Sequence, residues 1–153
     1  MKRKLFSRGF VCAFPGTGKS TIVENQDMYG IGGDVFVHDT IQHAWKQNRF
    51  LSFYISRLEA IMLTRPNHLV FVSSSELVRN SLKQKGLKYD LAFPNRELKS
   101  EYLERYKKMG MMSDFIEKMD EHWDEYIDSC ENDQTVGRKY RLESGQYLSD
   151  VLM

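Results

Sequence analysis

The chain has 153 residues, which is the size of one domain with room for a substantial buried core. Hydrophobic residues make up 41% of it, and 22 Lys and Arg residues stand against 21 Asp and Glu residues, so the composition excludes a disordered chain and a strongly basic nucleic-acid surface. No apolar run is long enough to span a membrane, and the MKRKLF start lacks the apolar stretch of a secretory signal. We therefore expect a soluble protein of the cytoplasm, without a membrane partner, that forms a single domain over residues 1–153.

Four apolar runs of strand length follow one another along the chain: RGFVCAF, DVFVH, HLVFVSS and LKYDLAF. Helix-forming stretches at 20–28, 41–64 and 76–85 lie between them, and this alternation predicts a parallel sheet. Continuous apolar strands such as LVFV are typical of a sheet that helices cover on both faces. The predicted fold class is therefore α/β.

The sequence changes in character after Pro94. Residues 95–129 are rich in helix formers, apart from the interruption MGMMS at 109–113. Before this region, Gly86 lies where the preceding helix would stop. After it, a short strand around Tyr140 and Leu142 and then a final helix are expected.

A glycine-rich segment, AFPGTGKST, directly follows the first predicted strand and precedes the first predicted helix. We call residues 13–21 the phosphate loop, because the pattern G-x-x-x-x-G-K-[ST] closes backbone N–H groups around phosphate oxygens. Ala13 replaces the first glycine of the pattern, and the rest is intact. The pattern predicts that ATP binds here, with Lys19 bridging the β- and γ-phosphates and Ser20 binding Mg²⁺. The predicted cradle consists of Pro15, Gly16, Thr17, Gly18, Lys19, Ser20 and Thr21.

Two aspartates bracket the second predicted strand. Ligands of open α/β sheets bind outside the carboxyl ends of the strands, so Asp39 is predicted to face the site, whereas Asp34 belongs to the opposite edge. Asp39 would accept a proton from an acceptor hydroxyl or order a Mg²⁺-bound water. Capping of the following helix is its structural alternative.

The third predicted strand ends in a run of serines rather than in an acid. Ser73 and Glu76 have the spacing of a capping box, and the Ser73 hydroxyl is also a candidate for contact with the substrate phosphate. Arg79 lies in the first turn of the next helix, where the helix dipole disfavours a cation unless an anion is nearby. Arg79 is therefore a candidate for binding a substrate anion.

The segment NRELKSEYLERYKKMG predicts a helix with one buried face. Lys99 and Arg105 flank that face, and they either pair with glutamates at the surface or reach into a cleft over phosphates. The following segment, DFIEKMDEHWDEYIDSC, predicts a core helix. The predicted buried side chains are Leu98, Tyr102, Tyr106 and Met109 in the first segment and Phe115, Met119, Trp123, Tyr126 and Ile127 in the second.

Five segments together resemble the small phage-type P-loop nucleotide kinases, which are similar to nucleoside monophosphate kinases: AFPGTGKST, FVSSSELVRNSL, YDLAFPNRELKSEYLERYKKMG, HWDEYI and LESGQYLSD. The resemblance covers nearly the whole chain. It implies a three-layer P-loop NTPase fold with a helical lid at about 95–113, and a phage-encoded protein of the host cytoplasm. It further implies that Lys99 and Arg105 are lid cations and that Arg79 contacts the acceptor or a phosphate. Met109 stands where such lids often carry a second arginine.

Three functions are open at this point. The first is transfer of the ATP γ-phosphoryl group to a nucleoside or deoxynucleoside monophosphate. The second is transfer to a hydroxyl on DNA, against which the near-neutral charge argues. The third is nucleotide binding without transfer, which the missing acid after the third strand and Met109 motivate. We predict the nucleotide kinase, with Lys19, Asp39, Lys99 and Arg105 as catalytic residues and Asp39, Ser73 and Arg79 as substrate-binding residues.

Overall fold

The computed structural model describes residues 9–24, 37–39, 55–60, 63 and 69–152. The predicted strand residues 34–36, with Asp34, and the predicted helical residues 25–28 and 41–54 lie outside these ranges. Residues 55–60 are helical. The other elements are β1 (Gly9–Ala13), α1 (Lys19–Glu24), β2 (Val37–Asp39), β3 (Leu69–Ser73), α2 (Glu76–Gln84), β4 (Tyr89–Pro94), a 3-10 helix (Arg96–Leu98), α3 (Lys99–Lys108), α4 (Ser113–Glu131), β5 (Lys139–Leu142) and α5 (Leu148–Val151).

The five strands form one parallel sheet in the order β2-β3-β1-β4-β5. This arrangement confirms the α/β fold with a parallel sheet, and it includes the short strand that was predicted near the end of the chain. Ala13, the last residue of β1, lies beside Ser73 of β3 and beside Ala92 of β4. From β1 the chain goes to β2 on one side, whereas from β4 it goes to β5 on the other. In open α/β sheets, such a reversal between neighbouring strands, here β1 and β4, marks the usual place for a ligand at their carboxyl ends.

Helices pack on both faces of the sheet, and successive apolar residues of β1, β3 and β4 are buried on opposite sides. Phe10 and Cys12 of β1 belong to a large core with residues from α2, α3, α4 and 55–60. Val11 and Ala13 belong to a second core, which includes residues of α1 and α5. The apolar runs of β1 and β3 are therefore buried on both faces, as the sequence pattern indicated. Within the described ranges, no helix has both the length and the apolar character to cross a membrane.

The stop predicted at Gly86 is confirmed. Gly86 has a φ of 69°, its N–H donates to the Lys83 carbonyl at 3.0 Å, and the Leu87 N–H donates to the Leu82 carbonyl at 2.9 Å. These two bonds satisfy carbonyls that the end of α2 would otherwise leave free.

The start of α2 differs from the prediction in its capping. The helix begins at Glu76, but the predicted capping box is wrong, since the residue that precedes the helix is Ser75 and its side chain makes no capping bond. Ser73 is still the last residue of β3, and its hydroxyl accepts a hydrogen bond from the Ser75 N–H at 3.2 Å. The Ser-x-x-Glu spacing therefore spans the turn between strand and helix rather than the first helical turn.

The two helices predicted after Pro94 are present, and the break between α3 and α4 coincides with the predicted interruption. Tyr102 and Tyr106 are fully buried, as predicted. The predicted burial of Met109 is wrong. Met109 is the residue that follows the last turn of α3, and it is 57% exposed. The predicted burial of Tyr126 is also wrong. Tyr126 lies about 60° from Trp123 around α4, at the edge of the buried face, and it is 38% exposed.

A buried ion pair joins α2 to the segment after α4. Arg79 Nη1 lies 2.7 Å from the Asp133 carboxylate, and the two side chains are 2% and 0% exposed. The Tyr89 hydroxyl donates to the same carboxylate oxygen at 2.6 Å, and the Thr135 N–H donates to the other at 3.0 Å. Burial by itself would raise the pKa of Asp133, but the hydrogen bonds from Tyr89, Arg79 and Thr135 hold that pKa well below its usual range.

Replacing Asp133 with Asn should lower the free energy of unfolding at neutral pH by about 3 kcal/mol or more, because the charge of Arg79 would stay buried without its counter-ion. Urea unfolding followed by circular dichroism measures this change. Asp120, whose exposed side chain pairs with Lys99, offers a matched control, and Asp120→Asn should cost less than about 1 kcal/mol. Equal costs for the two variants would contradict the role of the buried pair.

The pH dependence of the same variant follows from the direction of the pKa shift. A carboxyl whose pKa is lower in the folded state contributes its full stability above its unfolded pKa of about 4. That contribution is lost as the pH falls through the lower folded value. The wild type should therefore lose stability more steeply than Asp133→Asn below about pH 4. Parallel curves for the two proteins would show that Asp133 is not stabilised as a carboxylate.

Candidate functional site

The phosphate loop leaves the carboxyl end of β1, next to β4. The Phe14 N–H donates to the Ala92 carbonyl at 2.9 Å, which extends the contact between these strands by one residue. Gly16 and Gly18 have φ values of 84° and 94°, in the left-handed region that glycine adopts without strain. The two glycines of the motif therefore serve the reversal of the chain before α1 begins at Lys19.

All five carbonyl groups of residues 14–18 accept a hydrogen bond. The donors come from the loop and α1, from α3, and from the start of α5. In chain order the bonds are Thr17 Oγ1 to Phe14 at 2.7 Å, Tyr106 Oη to Pro15 at 2.9 Å, Arg105 Nη1 to Gly16 at 2.9 Å, Leu148 N to Thr17 at 2.8 Å and Ile22 N to Gly18 at 3.5 Å.

The backbone N–H groups of the loop are arranged differently from its carbonyls. Gly16, Thr17 and Gly18 donate no backbone hydrogen bond to any residue that the structure describes. Each peptide unit is planar and trans, so an N–H points away from the carbonyl of the preceding residue. Because those carbonyls point towards α3 and α5, the three N–H groups point away from both. Successive N–H groups of this kind form a concave site for an anion.

Lys19 and Thr17 are both held within the protein. Lys19 is 7% exposed and Thr17 is 0% exposed. Lys19 directly follows the three N–H groups in the chain, so a buried cation and an anion-binding backbone belong to one short segment. Thr21, in α1, is exposed. The Ser20 side chain, which was predicted to bind Mg²⁺, lies outside the described part of the molecule.

The backbone of Asp39 lies at the predicted edge of the sheet. Asp39 is the last residue of β2 and is level with Phe71 of β3, so it is at a carboxyl end of a strand, as is the phosphate loop. One strand separates β2 from β1, which places the Asp39 backbone about 10 Å across the sheet from β1. The Asp39 side chain lies outside the described part, and its role as a proton acceptor or as a partner of a Mg²⁺-bound water stays a prediction.

Helix α3 packs directly against the loop. A Cβ atom at Gly16 would lie 2.8 Å from Cε1 of Tyr106 and 3.3 Å from Cδ2 of Tyr102. The Tyr102 ring also meets Phe14 and Trp123, with ring centres 6.3 Å and 5.8 Å away. The loop therefore rests on an aromatic cluster of the larger core.

The hydroxyl of Tyr102 is buried and has no hydrogen-bond partner among the described residues. Burial raises the pKa of Tyr102 to about 12, and the charge of Arg105 opposes this rise. The hydroxyl is therefore protonated at neutral pH.

The structure separates the two predicted lid cations. Arg105 is brought to the phosphate loop, where it donates to Gly16, whereas Lys99 Nζ lies 2.8 Å from Asp120 of α4. Arg105 follows Lys99 by six positions, which places the two side chains about 120° apart around α3, so they face different neighbours. The structure therefore does not bring Lys99 together with the loop.

The two other predicted substrate contacts have partners in the chain itself. The anion beside Arg79 is Asp133, which binds Nη1. Nη1 also donates to the Ser129 carbonyl at 3.2 Å, Nε donates to the Ser74 carbonyl at 2.8 Å, and Nη2 donates to the Ser129 hydroxyl. The sequence argument for an anion was sound, but the anion is internal, which corrects the expected substrate contact of Arg79. Ser73 lies beside Ala13 at the end of β3 and is half-buried.

Three residues at the loop were not predicted from their spacing. Glu101, Gln146 and Tyr147 surround Arg105, and a Cβ atom at Gly18 would lie 3.0 Å from Cδ1 of Tyr147. Gln146 and Tyr147 lie in the segment LESGQYLSD, so the resemblance was the signal that pointed to them. Glu101 was not singled out, although it precedes Arg105 by four positions, the spacing at which a helical arginine pairs with a glutamate.

Comparisons with known proteins give no family for this chain. No protein-family model and no curated protein matches it. Among solved structures, the chain is similar to an uncharacterized protein from Eubacterium ventriosum ATCC 27560, with a TM-score of 0.45 over 95% of this chain and 93% of that chain, at 9% sequence identity. The described residues contain no group of three or more His, Cys, Asp or Glu side chains that could hold a metal ion.

Replacing Gly16 with Ala should destabilise the protein more than the same change at Gly110. Both glycines have a positive φ, 84° and 74°, so both variants carry left-handed strain of about 1–2 kcal/mol. Only the new methyl group at position 16 meets a buried ring, because nothing lies within 4 Å of a Cβ at Gly110. Overpacking should add about 1–3 kcal/mol at Gly16. Thermal unfolding compares the two, and an equal loss would show that α3 does not restrain the loop.

Proposed function

We propose that this protein is a P-loop kinase that transfers the γ-phosphoryl group of ATP to a nucleoside or deoxynucleoside monophosphate. One observation carries the proposal: Gly16, Thr17 and Gly18 donate no backbone hydrogen bond to any described residue and their N–H groups point away from α3 and α5, while every carbonyl of residues 14–18 accepts a hydrogen bond. A chance glycine-rich turn would not need all of its carbonyls bound. The three-layer P-loop NTPase class belongs to the same proposal.

The residues of the loop fit a triphosphate. The N–H groups of residues 16–18 would donate to phosphate oxygens, and Lys19 would neutralise the charge of the β- and γ-phosphates. Ser20 would hold Mg²⁺, which supplies further neutralisation of the transferred group when it is bound. Catalysis by these residues is mostly positioning and electrostatic stabilisation.

The acceptor decides what Asp39 has to do. An oxygen of a nucleoside monophosphate is largely ionised at neutral pH, so it forms the new bond to the γ-phosphorus without losing a proton. The bond from that phosphorus to the β–γ bridging oxygen breaks, and a diphosphate and ADP are the products. A hydroxyl on DNA would instead need a base to take its proton. The near-neutral charge of the chain favours the small acceptor.

Transfer of label from γ-labelled ATP with Mg²⁺ tests the function directly. Acceptors should be the pooled ribo- and deoxynucleoside monophosphates, 5′-hydroxyl DNA and DNA with hydroxymethylated bases. We expect label in a nucleoside diphosphate, and a loss of at least about 100-fold in Lys19→Ala, because Lys19 stabilises charge on the transferred group. Lys85→Ala is the matched control, since Lys85 is exposed just after α2 and should leave transfer unchanged. Label on DNA, only in free phosphate, or nowhere would contradict the proposal.

Substituting Asp39 with Asn separates the two acceptor chemistries. With a monophosphate acceptor, the rate should fall by no more than about tenfold, because no proton has to be removed in the reacting step. With a hydroxyl acceptor, the loss of a general base should cost about 100-fold or more. The rate of transfer at saturating acceptor measures the difference. A large loss on a monophosphate would show that Asp39 acts on the metal or the phosphates instead.

A further inference from the structure

Arg105 joins three parts of the chain that are far apart in sequence. Its Nη1 donates to the Gly16 carbonyl at 2.9 Å, and its Nη2 donates to the Glu101 carboxylate at 3.0 Å and to the Gln146 carbonyl at 3.1 Å. Both terminal nitrogens are therefore engaged by protein oxygens. These contacts leave the guanidinium bound beside the loop rather than extended over it.

Two aromatic rings also lie next to the same guanidinium. Its carbon lies 4.3 Å from the ring centre of Tyr102 and 4.1 Å from that of Tyr147. Cations in this position are attracted to the electron-rich faces of the rings. The Arg105 side chain is 10% exposed. The guanidinium is thus held by hydrogen bonds and by ring contacts, both from α3 and from the segment before α5.

Glu101 extends this arrangement to the turn that follows β5. Besides Arg105, its carboxylate accepts hydrogen bonds from the Ser144 hydroxyl at 2.5 Å and from the Gly145 N–H at 3.1 Å. The bonds from Ser144 and Gly145, with a smaller effect of Arg105, lower the pKa of Glu101. The carboxylate therefore fastens the turn 143–147 to α3 and orients Arg105 at the same time.

We infer that Arg105 and Glu101 are positioning residues that hold the phosphate loop in its anion-binding shape by tying it to the turn 143–147, and that Arg105 does not contact the transferred phosphoryl group. This inference rests on the proposed function. It differs from the role of a lid cation, which would approach the γ-phosphate during the reaction.

The physical link is the peptide unit between Gly16 and Thr17. Arg105 holds the carbonyl of this unit, and the N–H at its other end is one of the three that form the anion site. Because the unit is rigid, loss of the bond to the carbonyl frees the N–H to turn away. The N–H groups serve ADP and ATP alike, so a positioning residue affects the binding of both nucleotides. A lid cation would instead act on the rate of transfer.

The test compares Arg105→Lys with Glu101→Gln. The first keeps the charge and the second keeps the shape of the side chain, but each breaks the set of bonds that joins Gly16, Glu101 and Gln146 through Arg105. Calorimetry should show that each variant weakens the binding of ADP and the binding of ATP by the same factor, about tenfold. The kcat at saturating nucleotide should stay within about twofold of the wild-type value. Arg96→Lys and Glu104→Gln are matched controls, since these residues make exposed ion pairs away from the loop. Both controls should bind like the wild type.

Hydrogen exchange on the nucleotide-free protein provides the second readout. Arg105→Lys and Glu101→Gln should speed exchange at the amides of Gly145 and Leu148, whose acceptors are Glu101 and Thr17. Unchanged exchange in both variants would overturn the inference, as would a fall in kcat with unchanged ADP and ATP affinity. If the wild type binds neither nucleotide, the proposed function fails, and the exchange measurement alone decides whether the two residues hold the loop.

Discussion

The rest of this structure depends on the need to bind five successive backbone carbonyls at the end of β1. A buried carbonyl without a donor costs about 1–3 kcal/mol. The loop and α1 supply donors for the carbonyls of Phe14 and Gly18, whereas the donors for the three carbonyls between them come from distant parts of the chain. Arg105 and Tyr106 bring α3 to the loop, and Leu148 brings the end of the chain. The same bonds turn the N–H groups of residues 16–18 away from α3 and α5, so one set of bonds both builds the fold locally and leaves the N–H groups that the proposed function uses.

The parts of the fold that were predictable are those that local sequence determines. A strand buried on both faces needs an unbroken apolar run, and a turn with positive φ needs glycine, so β1, β3 and the loop with Gly16 and Gly18 could be recognised from the sequence. The burial of Tyr106 followed from its position on α3. Its hydrogen bond to Pro15 did not, because that contact joins residues 91 positions apart and leaves no periodic trace.

The arginines show where charge is a poor guide to function. Arg79 and Arg105 were both expected to reach a ligand, and each is bound by oxygens of its own chain. A guanidinium removed from water must find acceptors, and the folded chain supplies them wherever it can. A buried arginine therefore indicates an acceptor nearby without showing whether that acceptor is a substrate. Asp133 is the acceptor for Arg79, and its buried position after α4 could not be read from the sequence around it.

The position of α3 limits how the site can open. Swinging α3 away from the loop would break the bonds of Arg105 to Gly16 and Gln146 and that of Tyr106 to Pro15, and it would expose two fully buried tyrosines. At about 1 kcal/mol for each bond and about 2 kcal/mol for each ring, that motion costs several kcal/mol. Protein conformations that exchange during function usually differ by only a few kcal/mol. Helix α3 is therefore better described as a fixed wall beside the loop than as a lid, and under the proposed function any closure over a nucleotide has to come from another part of the chain.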